Sequence, residues 1–393
     1  MRILMLGWEL PPHNSGGLGV ACYHLCQHLA DQGADIDFVV PYTADHSEIS
    51  FMKVLGTSNV HPDELFSTQG IYRSAIHEKG NPTVNAYTEF VLKLISENDY
   101  DAIHAHDWLT YAAAVEAKRG SGLPLIAHVH ATEFDRAGAR SGNPLVHEIE
   151  YQGLLMADSI VAVSQNTKNI IIEKYQIPEN KIQVIHNSIE PHLFDNTDSF
   201  NHLSYIAHKK SQGYKVFISI GRLTVQKGLW FLLEAFAKAA KKNPKALLVI
   251  AGSGEQYEEL IEQAATLGVS KQVIFTGFVR GSQWRDVYNI GDAFIMPSVS
   301  EPFGLTALEA AGYGNLVLIS KQSGVGEVLN NVLKFDYWDV DLLSTQICAI
   351  STYNGLSTSM EQELKREFKA FSWANAATKM KELYNRYTQG VAV

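Results

Sequence analysis

Residues 215–242 read KVFISIGRLTVQKGLWFLLEAFAKAAKK, and this stretch decides the fold. It opens with a short apolar run of strand length that ends at Gly221. After a loop and Gly228, the last fourteen residues place apolar side chains at helical spacing. A buried strand, a glycine-containing loop and an amphipathic helix in this order indicate one unit of a parallel sheet that is covered by helices.

The same alternation extends in both directions along the chain. Downstream, the strand candidates are LLVIAG, VIFTGF, AFIMPS and LVLIS. Upstream, they are RILML, IDFVV, AIHAH, LIAHVH, SIVAVS and IQVIH, and helical patterns occupy 17–32, 86–97 and 166–175. The start of the chain repeats the order of strand, Gly7, loop, Gly17 and helix, so the sequence predicts two doubly wound α/β domains.

A polar, aperiodic segment at 190–212 predicts the loop that joins the two domains. We place an N-terminal Rossmann-like domain at residues 1–198 and a C-terminal one at 199–373. A helix follows at 374–393, and the pattern allows it to pack on either domain, including back on the first.

The composition excludes several classes of protein. With 46% apolar residues in 393, the chain has enough material for large cores, unlike a disordered protein. A net charge of −10 disfavours a nucleic-acid partner. Three cysteines give no disulfide framework and fit a reducing compartment. The N-terminal apolar run is too short for a signal peptide, and no run approaches the ~18 residues of a membrane span. We therefore predict a cytoplasmic protein with no transmembrane segment; its oligomeric state stays open.

The loop GRLTVQKG (221–228) is the first candidate site. In open parallel sheets ligands bind beyond the carboxyl ends of the strands, where this loop is predicted to lie. Arg222 and Lys227 stand beside a helix start, and a helix N-terminus with two cations suits a diphosphate. Two solvated surface cations are the alternative. Gly252 in AGSGE marks a second glycine-rich strand end.

EPFGLTALEAAGYG (301–314) follows the strand candidate AFIMPS and carries two carboxylates. Glu301 precedes a proline and should lie in extended or turn backbone, whereas Glu309 should lie in the next helix. One contact to a sugar and one to a ribose would fit this spacing. An ordinary capped helix with an exposed glutamate is the alternative. No GxGxxG follows the first strand and no Walker lysine motif is present, which disfavours a dehydrogenase and a P-loop ATPase.

Together, GRLTVQKG, AGSGE and EPFGLTALE resemble the donor half of retaining, nucleotide-sugar-dependent glycosyltransferases of family 4, which have the two-Rossmann GT-B fold. SGGLG, HAHDW and HVHATEF in the first half are similar to the glycogen and starch synthase branch. The resemblance implies an acceptor-side domain and a nucleotide-sugar-binding domain that face each other across a cleft. It also implies transfer of a hexosyl group, with glucosyl as the best guess, from a nucleoside-diphosphate sugar to a hydroxyl of a saccharide acceptor, for example an α-glucan.

The resemblance implies a role for each matching residue. The expected catalytic residues are Glu301 at the sugar hydroxyls, His130 against the sugar, Arg222 and Lys227 at the diphosphate, and Asp107 near the acceptor. The expected nucleotide-sugar-binding positions are Gly17, Gly221, Arg222, Lys227, Gly252, Phe278, Val279, Gly304, Leu305, Thr306 and Glu309.

Two groups of residues contain side chains that could bind a metal ion. Cys22 and Cys26, four residues apart, are expected on the buried face of one helix rather than at a metal. The alternating histidines of HAHDW and HVHATEF allow a metal site, but the family replaces a divalent cation with protein cations, so no metal and no cofactor are predicted.

Some alternatives stay open. Family members of the glycogen and starch synthase branch carry a lysine before the Thr-Gly-Gly of the first loop, whereas this chain reads Asn14-Ser15-Gly16-Gly17, which weakens the case for ADP-glucose as the donor. Cell-surface polysaccharide or lipid acceptors, a GT-B epimerase and a non-catalytic sugar-nucleotide-binding or glucan-binding subunit remain possible functions.

Overall fold

The structure is a computed structural model that describes residues 1–14, 16–62, 82–138, 140–194 and 203–388. It divides into two compact units. Unit 1 comprises Met1–Phe134, Ser141–Ser188 and Ser372–Val393, and unit 2 comprises Asp135–Arg140 and Ile189–Phe371. The predicted domain boundary at residues 198–199 lies outside the described residues.

Unit 1 contains a parallel sheet whose described strands run in the order β3-β2-β1-β4-β5-β6-β7. The strands are β1 (Arg2–Leu6), β2 (Asp35–Val40), β3 (Lys53–Gly56), β4 (Ala102–His106), β5 (Leu125–Val129), β6 (Ser159–Ala162) and β7 (Ile182–Val184). The described α-helices are α1 (Gly17–Asp31), α2 (Pro82–Glu97), α3 (Trp108–Ser121), α5 (Pro144–Met156) and α6 (Gln165–Tyr175), and α4 (Glu133–Ala137) begins in unit 1 and ends in unit 2. The inner strands β4, β5 and β6 are buried along their whole length, as expected for a sheet with both faces covered.

Unit 2 contains a second parallel sheet, in the order β10-β9-β8-β11-β12-β13. Its strands are β8 (Lys215–Ile220), β9 (Ala246–Ala251), β10 (Val273–Gly277), β11 (Ala293–Met296), β12 (Leu316–Ser320) and β13 (Leu333–Phe335). Its helices are α7 (Ser204–Ser211), α8 (Leu229–Lys242), α9 (Tyr257–Thr266), α10 (Gly281–Ile290), α11 (Leu305–Gly312), α12 (Val340–Thr352) and α13 (Asn354–Phe368). The two sheets confirm the predicted pair of doubly wound α/β domains.

The final helix, α14 (Trp373–Thr388), packs against α1 in unit 1. The Gln32 side-chain amide donates to the Ala374 carbonyl at 3.1 Å, and the Lys381 ammonium donates back to the Gln32 carbonyl. The Tyr387 hydroxyl reaches the Asp158 carbonyl at 3.0 Å. The last helix of the chain is therefore a structural part of the first unit.

Two local expectations have different outcomes. Cys22 and Cys26 are fully buried on α1, which confirms their predicted place on its inner face. The segment 190–212 was expected to be a loop, but it contains α7. Most of this helix is polar and it buries only Ile206, so it lacks the apolar periodicity that marks a helix in a sequence.

No helix in the described part of the chain combines the length and the apolar character that a membrane crossing requires.

Candidate active site

The glycines at the ends of β8 and β9 allow the two strands to approach closely. Gly252 has φ +145°, and a Cβ there would lie 1.8 Å from the Gly221 carbonyl oxygen. The Leu223 amide donates to the Ser253 carbonyl at 2.9 Å beyond the strand ends. Any larger residue at 252 would force the loops apart, so AGSGE shapes the backbone of this site.

The loop after β8 presents Arg222 and Lys227. It closes with a single turn of 3-10 helix, Val225–Lys227, and Gly228 at φ +62° begins the turn into α8. The Lys227 ammonium lies 2.5 Å from Oε2 of Glu301. Arg222 is exposed, and its guanidinium makes no hydrogen bond or ion pair within the described residues. Lys227 is therefore paired with the Glu301 carboxylate, whereas the Arg222 guanidinium is available to an anion.

Glu301 is buried, and both its backbone amide and its backbone carbonyl form hydrogen bonds. Its amide donates to the Gln322 carbonyl at 3.0 Å, and its carbonyl accepts from the Gly324 amide at 2.9 Å. The Ser298 hydroxyl donates to Glu301 Oε2 at 2.9 Å. A parallel bridge to Ser323 confirms that Glu301 lies in extended backbone rather than in a helix.

The turn after Pro302 begins α11. Gly304 has φ +106°, and a Cβ there would lie 2.7 Å from Cε of Met296, so the turn requires glycine. Leu305 and Thr306 are the first two residues of the helix. The first amides of a helix have no partner inside it and favour an anion.

Some of these residues line one pocket in unit 2, whereas Gly252, Glu301, Gly304 and Leu305 are not among its lining residues. Its lining comes from the ends of β8 and β11, the loop at 221–229 and the start of α11. The lining residues are Ser219, Ile220, Gly221, Arg222, Leu223, Lys227, Leu229, Met296, Pro297, Ser298 and Thr306. The structure thus brings together Arg222, Lys227 and the start of α11, which the sequence and the resemblance predict to bind phosphates.

Glu309 lies in α11 as predicted and bonds to Tyr288. The buried Tyr288 hydroxyl donates to Glu309 Oε2 at 2.8 Å. Burial raises the pKa of Glu309 to about 7, and the tyrosine hydrogen bond opposes that rise. Close to neutral pH this carboxyl group therefore carries a proton part of the time.

Phe278 and Val279 follow β10 and are not among the residues that line the pocket. Phe278 is 55% exposed, and the Arg280 guanidinium lies 4.9 Å from the centre of its ring. The pair offers a flat, exposed surface at this strand end.

Asp107 and His130 meet in unit 1. Asp107 Oδ1 accepts from the His130 amide at 2.7 Å and from the Ala131 amide at 3.3 Å. Asp107 has φ +60°, an uncommon conformation for a residue other than glycine. Its carboxylate holds the backbone of the loop that follows β5. Gly17 is exposed as the first residue of α1, and the neighbouring Ser15 lies outside the described residues.

Four histidines form a cluster on β4 and at the end of β5. The rings of His104 and His106 stack at 4.4 Å, and those of His128 and His130 stack at 4.2 Å. Burial lowers the pKa of all four, that of His130 to about 3, so the rings are neutral. Two triads here, Cys22-His106-His130 and His104-His106-His128, place possible metal-ligand atoms within 4.8 Å of one another.

Three side-chain contacts in these sites were not predicted from the sequence. Ser298 donates to Glu301 and is the second residue after β11, so its position at a strand end was a usable signal. Tyr288 reaches Glu309 from α10, and Met5 lies beside His106 from β1. Neither has a sequence signal, because the contact depends on how distant elements pack.

Comparison with known proteins agrees with this geometry. Residues 15–193 match the family described as Glycosyltransferase Family 4, and residues 205–334 match Glycosyl transferases group 1. The chain is 30% identical to the glycogen synthase of Mycobacterium tuberculosis, covering 84% of this chain and 80% of the relative. It is 29% identical to an uncharacterized glycosyltransferase of Methanocaldococcus jannaschii, covering 98% of both chains.

A solved structure shares the fold. The catalytic domain of starch synthase IV from Arabidopsis thaliana, bound to ADP and acarbose, superposes with a TM-score of 0.74 at 18% identity and 99% coverage of both chains. The chain belongs to glycosyltransferase family 4 with the GT-B fold, and it is an enzyme related to the glycogen synthases.

Proposed function

We propose that this glycosyltransferase moves a hexosyl group, with glucosyl as the best guess, from a nucleoside-diphosphate sugar to a hydroxyl of a saccharide acceptor. The configuration at the anomeric carbon is retained and no metal ion is required. An α-glucan is one acceptor that fits the relationship to a glycogen synthase.

The observation that carries the proposal is the Lys227–Glu301 pair beside Arg222 at one rim of unit 2. A lysine ammonium has three donors, and Glu301 uses one of them. The remaining donors and the planar fork of Arg222 suit the oxygens of a diphosphate, while Glu301 suits the hydroxyls of the attached sugar. A cation for the diphosphate and a carboxylate for the sugar therefore lie in direct contact, as transfer from a nucleotide sugar requires.

The chemistry follows from these charges. The bond between the anomeric carbon and the diphosphate oxygen breaks, and Arg222, Lys227 and the amides at the start of α11 stabilise the leaving charge. The acceptor oxygen bonds the same carbon from the same face, and its proton passes to the departing phosphate oxygen. This scheme needs no carboxylate nucleophile, and Oδ1 of Asp107 accepts from two backbone amides.

The relatives support the donor class. A starch synthase of the same fold binds ADP together with acarbose, which joins a nucleoside diphosphate and a glucan-like ligand in one protein.

A donor panel tests the proposal. Purified protein is incubated with UDP-, ADP- and GDP-linked hexoses and with malto-oligosaccharides, and released nucleoside diphosphate is measured. We expect acceptor-dependent release with at least one donor, and loss of that release in Glu301→Ala. Absence of transfer to all saccharide acceptors, or formation of an epimerised free donor instead, would overturn the proposal.

A further inference from the structure

His106 occupies a buried position between Met5 and His130 in unit 1. Its Nε2 lies 3.1 Å from the sulfur of Met5, which belongs to the neighbouring strand β1. Its Nδ1 lies 2.9 Å from Nε2 of His130. Both ring nitrogens of His106 therefore have a fixed partner, and each partner constrains which nitrogen holds the proton.

The protons can be assigned from the chemistry of the partners. A neutral imidazole has one N–H and one lone pair, and a thioether sulfur can accept a hydrogen but has none to donate. A lone pair on Nε2 of His106 would face the sulfur lone pairs, so Nε2 carries the hydrogen. Nδ1 of His106 is then an acceptor, and His130 must donate to it from its own Nε2.

We propose that Met5 and His106 fix the tautomer of His130, leaving Nδ1 of His130 unprotonated as the acceptor for a hydroxyl of the transferred sugar. His106 is a positioning residue for His130. The part concerning the hydroxyl rests on the proposed function, whereas the tautomer does not depend on it.

Three further observations support the proposal. His130 is partly exposed, and its Nδ1 makes no hydrogen bond within the described residues. Asp107 holds the His130 amide at 2.7 Å, so the backbone beneath the ring is fixed as well. The lowered pKa of both rings keeps each imidazole neutral, and only a neutral ring has a tautomer to select.

The first test reads the tautomer directly. Long-range 1H–15N spectra of protein labelled at histidine show which nitrogen of each ring is protonated, and comparison with His130→Asn assigns the His130 signals. We expect the Nε2–H form in the ligand-free wild type, and a mixture of forms in Met5→Leu, which keeps the volume of the side chain. An Nδ1–H form of His130 in the wild type overturns the proposal without any activity measurement.

The second test uses two substitutions of similar size. In His106→Asn the side-chain oxygen takes the place of Nδ1 and accepts the hydrogen bond from His130. In His106→Gln the side-chain amide extends to the place of Nε2 instead, so the acceptor at the place of Nδ1 is lost. We expect transfer within about threefold of wild type for His106→Asn, and a loss of about 10–100-fold in kcat/KM for His106→Gln, the range found for outer partners of a functional histidine.

The control measurements separate positioning from folding. Affinity for the nucleoside diphosphate without its sugar should be unchanged in both variants, since His130 is proposed to contact only the sugar. His208→Gln, at an exposed histidine of α7, should change nothing. Equal loss of activity in His106→Asn and His106→Gln, with the His130 tautomer unchanged in both, overturns the proposal. Absence of transfer by the wild type refutes the proposed function alone, and the spectra still decide the tautomer.

Discussion

Lys227 has two roles in the proposed chemistry, and substitution can separate them. Its ammonium neutralises Glu301 at 2.5 Å, where the side chains are 21% and 10% exposed, and it is proposed to bind the diphosphate. In Lys227→Ala the Glu301 carboxylate keeps the Ser298 hydroxyl but loses its cation. Leaving a buried polar group without its partner costs about 1–3 kcal/mol of unfolding free energy, and a charged group costs more.

The diphosphate role adds a second loss in the same variant. A charge-assisted contact contributes about 1.5–3 kcal/mol, so affinity for the nucleoside diphosphate should fall by roughly 10–150-fold. The affinity for the nucleoside alone should stay the same. Adding Glu301→Gln removes the unpaired carboxylate, so the double variant should recover stability but not affinity for the diphosphate.

Calorimetry with nucleoside and nucleoside diphosphate, together with urea unfolding, measures both losses. Lys238→Ala is a matched control, because it breaks an exposed ion pair to Asp341 at 2.7 Å in the same unit. It should change the unfolding free energy by less than about 1 kcal/mol and leave affinity unchanged. If the double variant recovers wild-type affinity for the diphosphate, Lys227 acts only by holding Glu301, and the phosphate role is refuted.

Three further predictions follow from the sites. Because burial raises the pKa of Glu309 to about 7 from an ordinary 4.5, the folded state holds a proton that the unfolded state releases, so stability should fall as pH rises from about 4.5 to 7. Urea unfolding at pH 5 and pH 7.5 should show this fall, and a slope that persists in Glu309→Gln would assign it to another group. Gly252→Ala, whose Cβ would meet the Gly221 oxygen, should lower the melting temperature more than Gly268→Ala, which has a positive φ but open space; equal losses would contradict the close approach. Transfer should continue in EDTA and give a product with the anomeric configuration of the donor, and restoration by Mg²⁺ after EDTA or an inverted product by NMR would contradict these two claims.

The sequence predicted the local parts of unit 2 well because each depends on a few adjacent residues. Continuous apolar runs marked the inner strands, and a proline after Glu301 placed that residue outside a helix. Glycines at strand ends marked the loops. Short outer strands such as β3 and β13 carried too few apolar residues to be recognised.

The contacts that tune the sites were beyond prediction from sequence. Tyr288 reaches Glu309 across 21 residues, and Met5 reaches His106 across 101. The spacing of His104, His106, His128 and His130 predicted a shared strand face, but the hydrogen bond that selects a tautomer depends on the register of β4 against β5. The place near an acceptor that the resemblance implies for Asp107 stays a prediction, and the contact of its Oδ1 with two backbone amides had no sequence signal.

The packing of α14 on α1 has a consequence for biosynthesis. A ribosome makes α1 at the beginning and α14 at the end, and at ~5–20 residues per second tens of seconds separate them. All residues of unit 2 have been synthesised before α14 is, so the unit that begins first is completed last. During that interval the α1 surface that α14 later covers is open to chaperones and to other nascent chains. A premature stop before Trp373 would therefore damage the N-terminal unit while leaving the sequence of unit 2 whole.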